Sequence, residues 1–194
     1  ELLVTEMDYA GIDLVLLHTS PQLGRLNDYL ADAARQYPNR LRWLVNLDET
    51  RVLSDPEGSV AEATRWLATD GAAGYQFHSK FYYLGGHTEP WDAGPMRPFW
   101  DGIATPGATV YFTILGARPE SRHTVAERET YIEEHNTLAR WMEHYPDVTA
   151  VITHGFPWRT YIEDSRIVLP AELWKVFEAP QCHMQLLFPI QLGN

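Results

Sequence analysis

The stretch ARWMEHYPDVTAVITHG (residues 139–155) decides the fold. A helical pattern runs into Tyr145-Pro146, where the proline removes an amide hydrogen and clashes with the preceding turn, so the helix stops. Within a few residues an apolar, β-branched run begins, and it ends in His154-Gly155. The same joint occurs at ARQYPNRLRWLVNLD (residues 34–48), again helix, Tyr-Pro, short turn and strand. A helix-to-strand joint that repeats is the mark of a chain built from β-α units.

Working outward, further runs of this kind appear: GIDLVLLH (11–18), AAGYQFHS (72–79), ATVYFTILG (108–116) and CHMQLLFPI (182–190). With LRWLVNLD (41–48) and VTAVITHG (148–155) they make six candidate strands. They lack strict alternation, which predicts strands covered on both faces. Their starts recur every ~30–40 residues, the length of one β-α unit. Helical patterns fill the gaps. PQLGRLNDYLADAARQYP (21–38) places Leu23, Leu26, Leu30 and Ala33-Ala34 on one stripe, and SVAEATRWLATDG (59–71) groups Val60, Ala63 and Trp66-Leu67. AERETYIEEHNTLARWMEHYP (126–146) turns Ile132, Leu138, Trp141-Met142 and Tyr145 inward, and PAELWKVFEAP (170–180) opens with Pro170. Right-handed crossovers would put the helices outside a barrel or on both faces of an open sheet.

Composition narrows the function. With 194 residues and 45% apolar side chains the chain suits one domain with a sizeable core. A net charge of -11 argues against a nucleic-acid groove, which needs a positive surface. The single cysteine, Cys182, excludes an internal disulfide and fits a reducing compartment, so a cytoplasmic location is expected. No apolar run approaches the ~20 residues that cross a bilayer, so no membrane partner is expected. Glycine-rich nucleotide loops, the G-x-S-x-G elbow, H-E-x-x-H and cysteine clusters are all absent from the sequence.

In a parallel α/β fold chemistry gathers at the C-terminal ends of the strands. His154 stands there, with Gly155 to let the chain turn behind it, and is the candidate catalytic residue. His18 and His78 end two other strands in the same way. Imidazoles that converge tend to bind a metal or an anionic substrate, so both are candidate substrate-binding residues. Asn46 and Gln76 share their side of the sheet if strand parity holds, as substrate-orienting groups or as loop caps. Arg159, just past the fifth run, could clamp a substrate carboxylate. Tyr82, Tyr83, Trp91 and Trp100, in the long segment 80–100, either wall a pocket or pack that segment onto the sheet. His123, His135, His144 and His183 occupy weaker positions, with His135 and His144 expected on the solvent side of a helix or at an interface.

MDYAGIDLVLLHTSP (7–21), NDYLADAARQYPNRLRWLVNLD (27–48), MRPFWDGIATPGATVYF (96–112) and ARWMEHYPDVTAVITHG together resemble the amidohydrolase-related group of TIM barrels. That group includes metal-dependent hydrolases and non-oxidative decarboxylases of aromatic and muconic acids. The resemblance implies a (β/α)8 barrel of α/β class. It also implies a divalent metal, commonly zinc or manganese, held by a His-x-His on the first strand, a His on the fifth and an Asp on the eighth. A sixth-strand histidine then acts on the substrate or the metal. His154 matches that histidine, which makes GIDLVLLH strand two and leaves His154 the one candidate metal ligand among the matched positions. Thr113 stands where the fifth-strand histidine is expected, and is a candidate substrate contact instead.

A full barrel needs about 250 residues. The expectation is therefore a single partial barrel domain over residues 1–194, with about six of eight β-α units visible, recorded from a longer chain. The function expected is a metal-dependent hydrolase or non-oxidative decarboxylase of a small carboxylated or cyclic substrate, and by analogy a homo-oligomer. From another class, a catalytically silent barrel would bind a small molecule or a partner protein. An open flavodoxin-like sheet is a third arrangement, and strand order separates it from a barrel.

Overall fold

Six parallel strands stand side by side in the order in which they occur along the chain. The computed structural model describes residues 1–20, 23–114, 125–155 and 161–185. The sheet is formed by β1 (Val15–Leu17), β2 (Leu41–Asn46), β3 (Ala72–His78), β4 (Thr109–Thr113), β5 (Thr149–Ile152) and, after a short hairpin of β6 (Ile162–Glu163) and β7 (Arg166–Ile167), β8 (Cys182–Met184). Every neighbouring pair in it is parallel. Strand order never reverses, which excludes the flavodoxin-like arrangement, whose order doubles back.

The sheet is curled. β1 and β5 are separated by three strands, so in a flat sheet their ends would lie about 19 Å apart. Yet the rings of His18, just past β1, and His154, just past β5, have centroids 5.8 Å apart. The fold is therefore the wall of a (β/α)8-type barrel, and the two histidines face each other across its mouth.

Helices α1 (Leu2–Ala10), α2 (Asn27–Gln36), α3 (Pro56–Leu67), α4 (Ser79–Leu84), α5 (Arg97–Ile103), α6 (Val125–His144) and α7 (Ala171–Phe177) occupy the connections. Both Tyr-Pro joints end a helix: α2 stops at Gln36 and α6 at His144. α3 begins earlier than its apolar stripe suggests, because the Asp55 side chain accepts from the Gly58 amide at 3.0 Å and Pro56 fills the first turn. α2, in contrast, starts only at Asn27, so Leu23 and Leu26 precede it and stay exposed instead of joining its buried stripe. Asp164 and Ser165, both with positive φ, form the two-residue turn between β6 and β7.

Side chains alternate across each strand. Trp43, Val45, Tyr75, Phe77, Val110, Phe112, Ala150 and Ile152 enter one core with the helices. Its centre is aromatic: Phe112 lies 4.8 Å from Trp141, Phe77 5.1 Å from Trp100, and Trp91 stacks on Phe112 at 5.2 Å between centroids. Tyr82, Trp91 and Trp100 are thus fully buried in packing the 80–100 segment onto the sheet, and they do not wall a pocket at the mouth. The alternate positions (Leu44, Asn46, Gln76, His78, Tyr111, Thr113, Val151 and Thr153) face the barrel axis. At Gly74 β3 runs close to β4, and an added Cβ would sit 2.4 Å from the Thr109 carbonyl oxygen.

Candidate active site

The barrel mouth collects three histidines from alternate strands. His18 follows β1 and is exposed, His78 ends β3 and is buried, and His154 follows β5 and is half-buried. His154 has φ 62 and Gly155 has φ 69, so the chain turns sharply here. For a residue with a Cβ that backbone is strained, and such strain concentrates where a side chain must be aimed. Burial, then the charges of His18 and His78, lower the pKa of His154. His18 is exposed as a residue, but the desolvation of its ring, which lies against that of His154, and then the charge of His78 lower its pKa too. Both imidazoles are therefore held neutral to lower pH than usual, with ring nitrogens able to accept a proton.

His78 is held by Glu49, a fully buried carboxylate that the sequence did not single out. One oxygen, Oε1, accepts from the His78 backbone amide at 3.2 Å and the Tyr75 hydroxyl at 3.4 Å, and lies 3.3 Å from His78 Nδ1. The one local signal was an acidic residue just past a strand end, in NLDE.

Below the histidines a chain of hydroxyls runs through the interior. Gln76 Nε2 lies 3.0 Å from Thr113 Oγ1, Thr113 Oγ1 lies 2.7 Å from Thr153 Oγ1, and Thr153 Oγ1 donates to the Phe112 carbonyl at 3.2 Å. A hydroxyl has one proton to give. Thr153 gives its proton to Phe112, so Thr113 donates to Thr153 and accepts from Gln76. That fixes the amide orientation and leaves Gln76 Oε1 as a buried acceptor with no partner. Asn46 is in a similar state. Its backbone exchanges two hydrogen bonds with the Asn27 side chain, at 2.8 and 3.0 Å, and its Nδ2 donates to the Leu44 carbonyl at 3.1 Å. Asn46 Oδ1 is then unpartnered and buried. Asn46 and Gln76 are register partners on β2 and β3, so the two acceptors belong to adjacent strands.

The described residues do not compose a metal site. Among them no group of three His, Cys, Asp or Glu side chains is placed to hold a metal ion. Thr113, at the position where the resemblance puts a metal histidine, has its hydroxyl spent on Gln76 and Thr153. Arg159 and His123 lie outside the described residues. His135 is buried within α6, not on its solvent side, and its Nδ1 bonds the Tyr131 carbonyl at 2.7 Å. His144 and His183 are exposed. Among the described residues no helix is long and apolar enough to cross a membrane.

No family model matches the sequence, and no curated protein matches it. Solved structures do match the fold. A 2,6-dihydroxybenzoate decarboxylase from Rhizobium superposes with a TM-score of 0.68 at 19% identity, over 95% of this chain and 68% of that one. A 5-carboxyvanillate decarboxylase from Novosphingobium aromaticivorans, solved with manganese and 4-hydroxy-3-methoxy-5-nitrobenzoic acid, gives 0.60 at 23%, over 79% and 49%. A probable 2-pyrone-4,6-dicarboxylic acid hydrolase from Acinetobacter baumannii, with citric acid bound, gives 0.56 at 15%, over 94% and 57%. At such identities the likeness to these structures establishes the fold. The chain spans about half to two thirds of their length.

Proposed function

We propose that this chain carries the strand-end face of a hydrolase or non-oxidative carboxy-lyase acting on a small carboxylated or cyclic substrate, with His154 as the residue that moves the proton. The observation that carries the reading is the convergence of His18, His78 and His154 at the barrel mouth from three alternate strands. The decarboxylases and hydrolase of the same fold support the reaction classes.

An anionic substrate entering among three imidazoles favours their protonated forms, because its charge offsets their mutual repulsion. His18 and His78 would then hold the carboxylate, with Asn46 and Gln76 accepting from hydroxyl groups of the substrate through their unpartnered oxygens. In a decarboxylation the bond from ring carbon to carboxylate breaks and carbon dioxide leaves. The electron pair stays on the carbon, and the His154 imidazolium returns a proton to it. In a hydrolysis, neutral His154 takes the proton of the attacking water. A divalent-metal requirement, zinc or manganese by the resemblance, belongs to the same proposal, and the manganese-bound decarboxylase of the same fold supports it. The described side chains do not supply its ligands, so no step here is routed through it.

The test is turnover of 2,6-dihydroxybenzoate, 5-carboxyvanillate and 2-pyrone-4,6-dicarboxylate by the purified protein, followed by absorbance. His154→Asn, which suits the same backbone better, should lower turnover by about 10²-fold or more while the melting temperature holds or rises slightly. An unchanged rate in a folded variant would remove His154 from the mechanism.

A further inference from the structure

We propose that Glu49 is a positioning residue of this site, which acts through His78 by fixing the tautomer that carries its proton on Nδ1. The proposal rests on the reading of the barrel mouth as catalytic, although its first measurement does not.

The carboxylate lies just past the end of β2, and its partners all come from β3. A single oxygen meets the backbone amide of His78, the Nδ1 of the same residue and the hydroxyl of Tyr75. An ionised carboxylate only accepts hydrogen bonds. At 3.3 Å from it, a neutral imidazole makes a favourable contact only with its proton on Nδ1. The hydrogen bond from the backbone amide to the same oxygen fixes where the ring begins, and the perpendicular ring of Phe81, 5.8 Å away between centroids, limits how it turns. Nε2, on the far edge of the ring, is then left as a lone pair directed away from Glu49. Which imidazole nitrogen holds the proton is set by the hydrogen bond that the other makes. The result is a division of labour at the mouth. His154 moves the proton, whereas His78 presents a fixed acceptor, or when protonated a fixed donor, whose direction comes from a residue on the neighbouring strand.

A carboxylate that merely pins the chain would also take the backbone amide, so the decisive measurement reads the ring. Long-range proton–nitrogen correlation spectra would be recorded at pH 8 on protein with labelled histidines, and His78 identified by its disappearance in His78→Gln. In the wild type its Nδ1 should resonate as a protonated, pyrrole-like nitrogen and its Nε2 as an unprotonated, pyridine-like one. Glu49→Gln, whose amide oxygen can still accept, should keep that pattern, and Glu49→Met should lose it to the opposite tautomer. A wild-type His78 protonated on Nε2 would overturn the proposal, even if Glu49→Met failed to fold. Retention of the Nδ1 proton in folded Glu49→Met would overturn it as well. With whichever of the three probe acids is turned over, Glu49→Met should lower kcat/KM and Glu49→Gln should restore part of it. If none is turned over, the reaction assigned to the site fails, while the spectra still decide the role of Glu49.

Discussion

His135 ties the stability of this domain to pH in a way that can be worked out in advance. It is 1% exposed, and burial drives its pKa down from 6.5 to about 4, with its bond to the Tyr131 carbonyl opposing the shift in part. The unfolded chain therefore binds a proton at this residue at a pH where the folded protein does not. Its contribution is complete above about pH 6.5 and is lost as the pH falls toward 4. At about 1.4 kcal/mol per pH unit the loss reaches about 3 kcal/mol. That is a large share of the roughly 5–15 kcal/mol that holds a domain together. The neighbouring Glu134 contributes the opposite slope. Burial raises its pKa, so protonating it favours the folded state as the pH falls. Urea unfolding of the wild type and His135→Phe at several pH values between 4 and 7 separates the two, because Glu134 is common to both proteins. The stability of the wild type should fall more steeply with acid, by about 1.4 kcal/mol per unit. Parallel curves would show that His135 protonates without cost in the folded state, which would refute the argument from burial.

Three further outcomes follow from the packing. Gly74→Ala places a Cβ 2.4 Å from the Thr109 carbonyl at φ 155, so β3 and β4 must part. A loss of about 3 kcal/mol or more is expected, read as a melting temperature lower by roughly 10 °C. Thr153→Val removes the acceptor for the Thr113 hydroxyl and a donor to Phe112, which should cost about 1–3 kcal/mol in a urea titration. Asn27→Ala strips both partners from the Asn46 backbone, and hydrogen exchange at the Asn46 amide should quicken beyond the change at the centre of β2.

The strands were legible because a parallel sheet buries both of its faces. Its runs are mostly apolar without strict alternation and end abruptly, as at Ile152 or Phe77. His18, His78 and His154 stood out for the related reason that each is a polar residue where such a run stops. Glu49 did not, because the three groups that bond it lie 26 and 29 residues further on, and no local pattern points that far. His135 stayed open between the solvent side of a helix and an interface for another reason. A single apolar stripe gives a helix one buried side, but α7 packs on α6 and brings Phe177 within 6.2 Å of the His135 ring. The aromatic residues of 80–100 could be assigned only once parity placed Phe77 and His78 on opposite faces of β3.

The backbone at His154 carries a lesson for redesign. A side chain in the left-handed region costs about 1 kcal/mol, and asparagine or glycine would relieve much of it. A campaign that selected only for heat resistance would therefore be drawn to this position early and would be rewarded there, while every barrel it improved lost the imidazole opposite His18. Screens on this scaffold should hold residue 154 constant, or score ligand binding alongside the melting temperature.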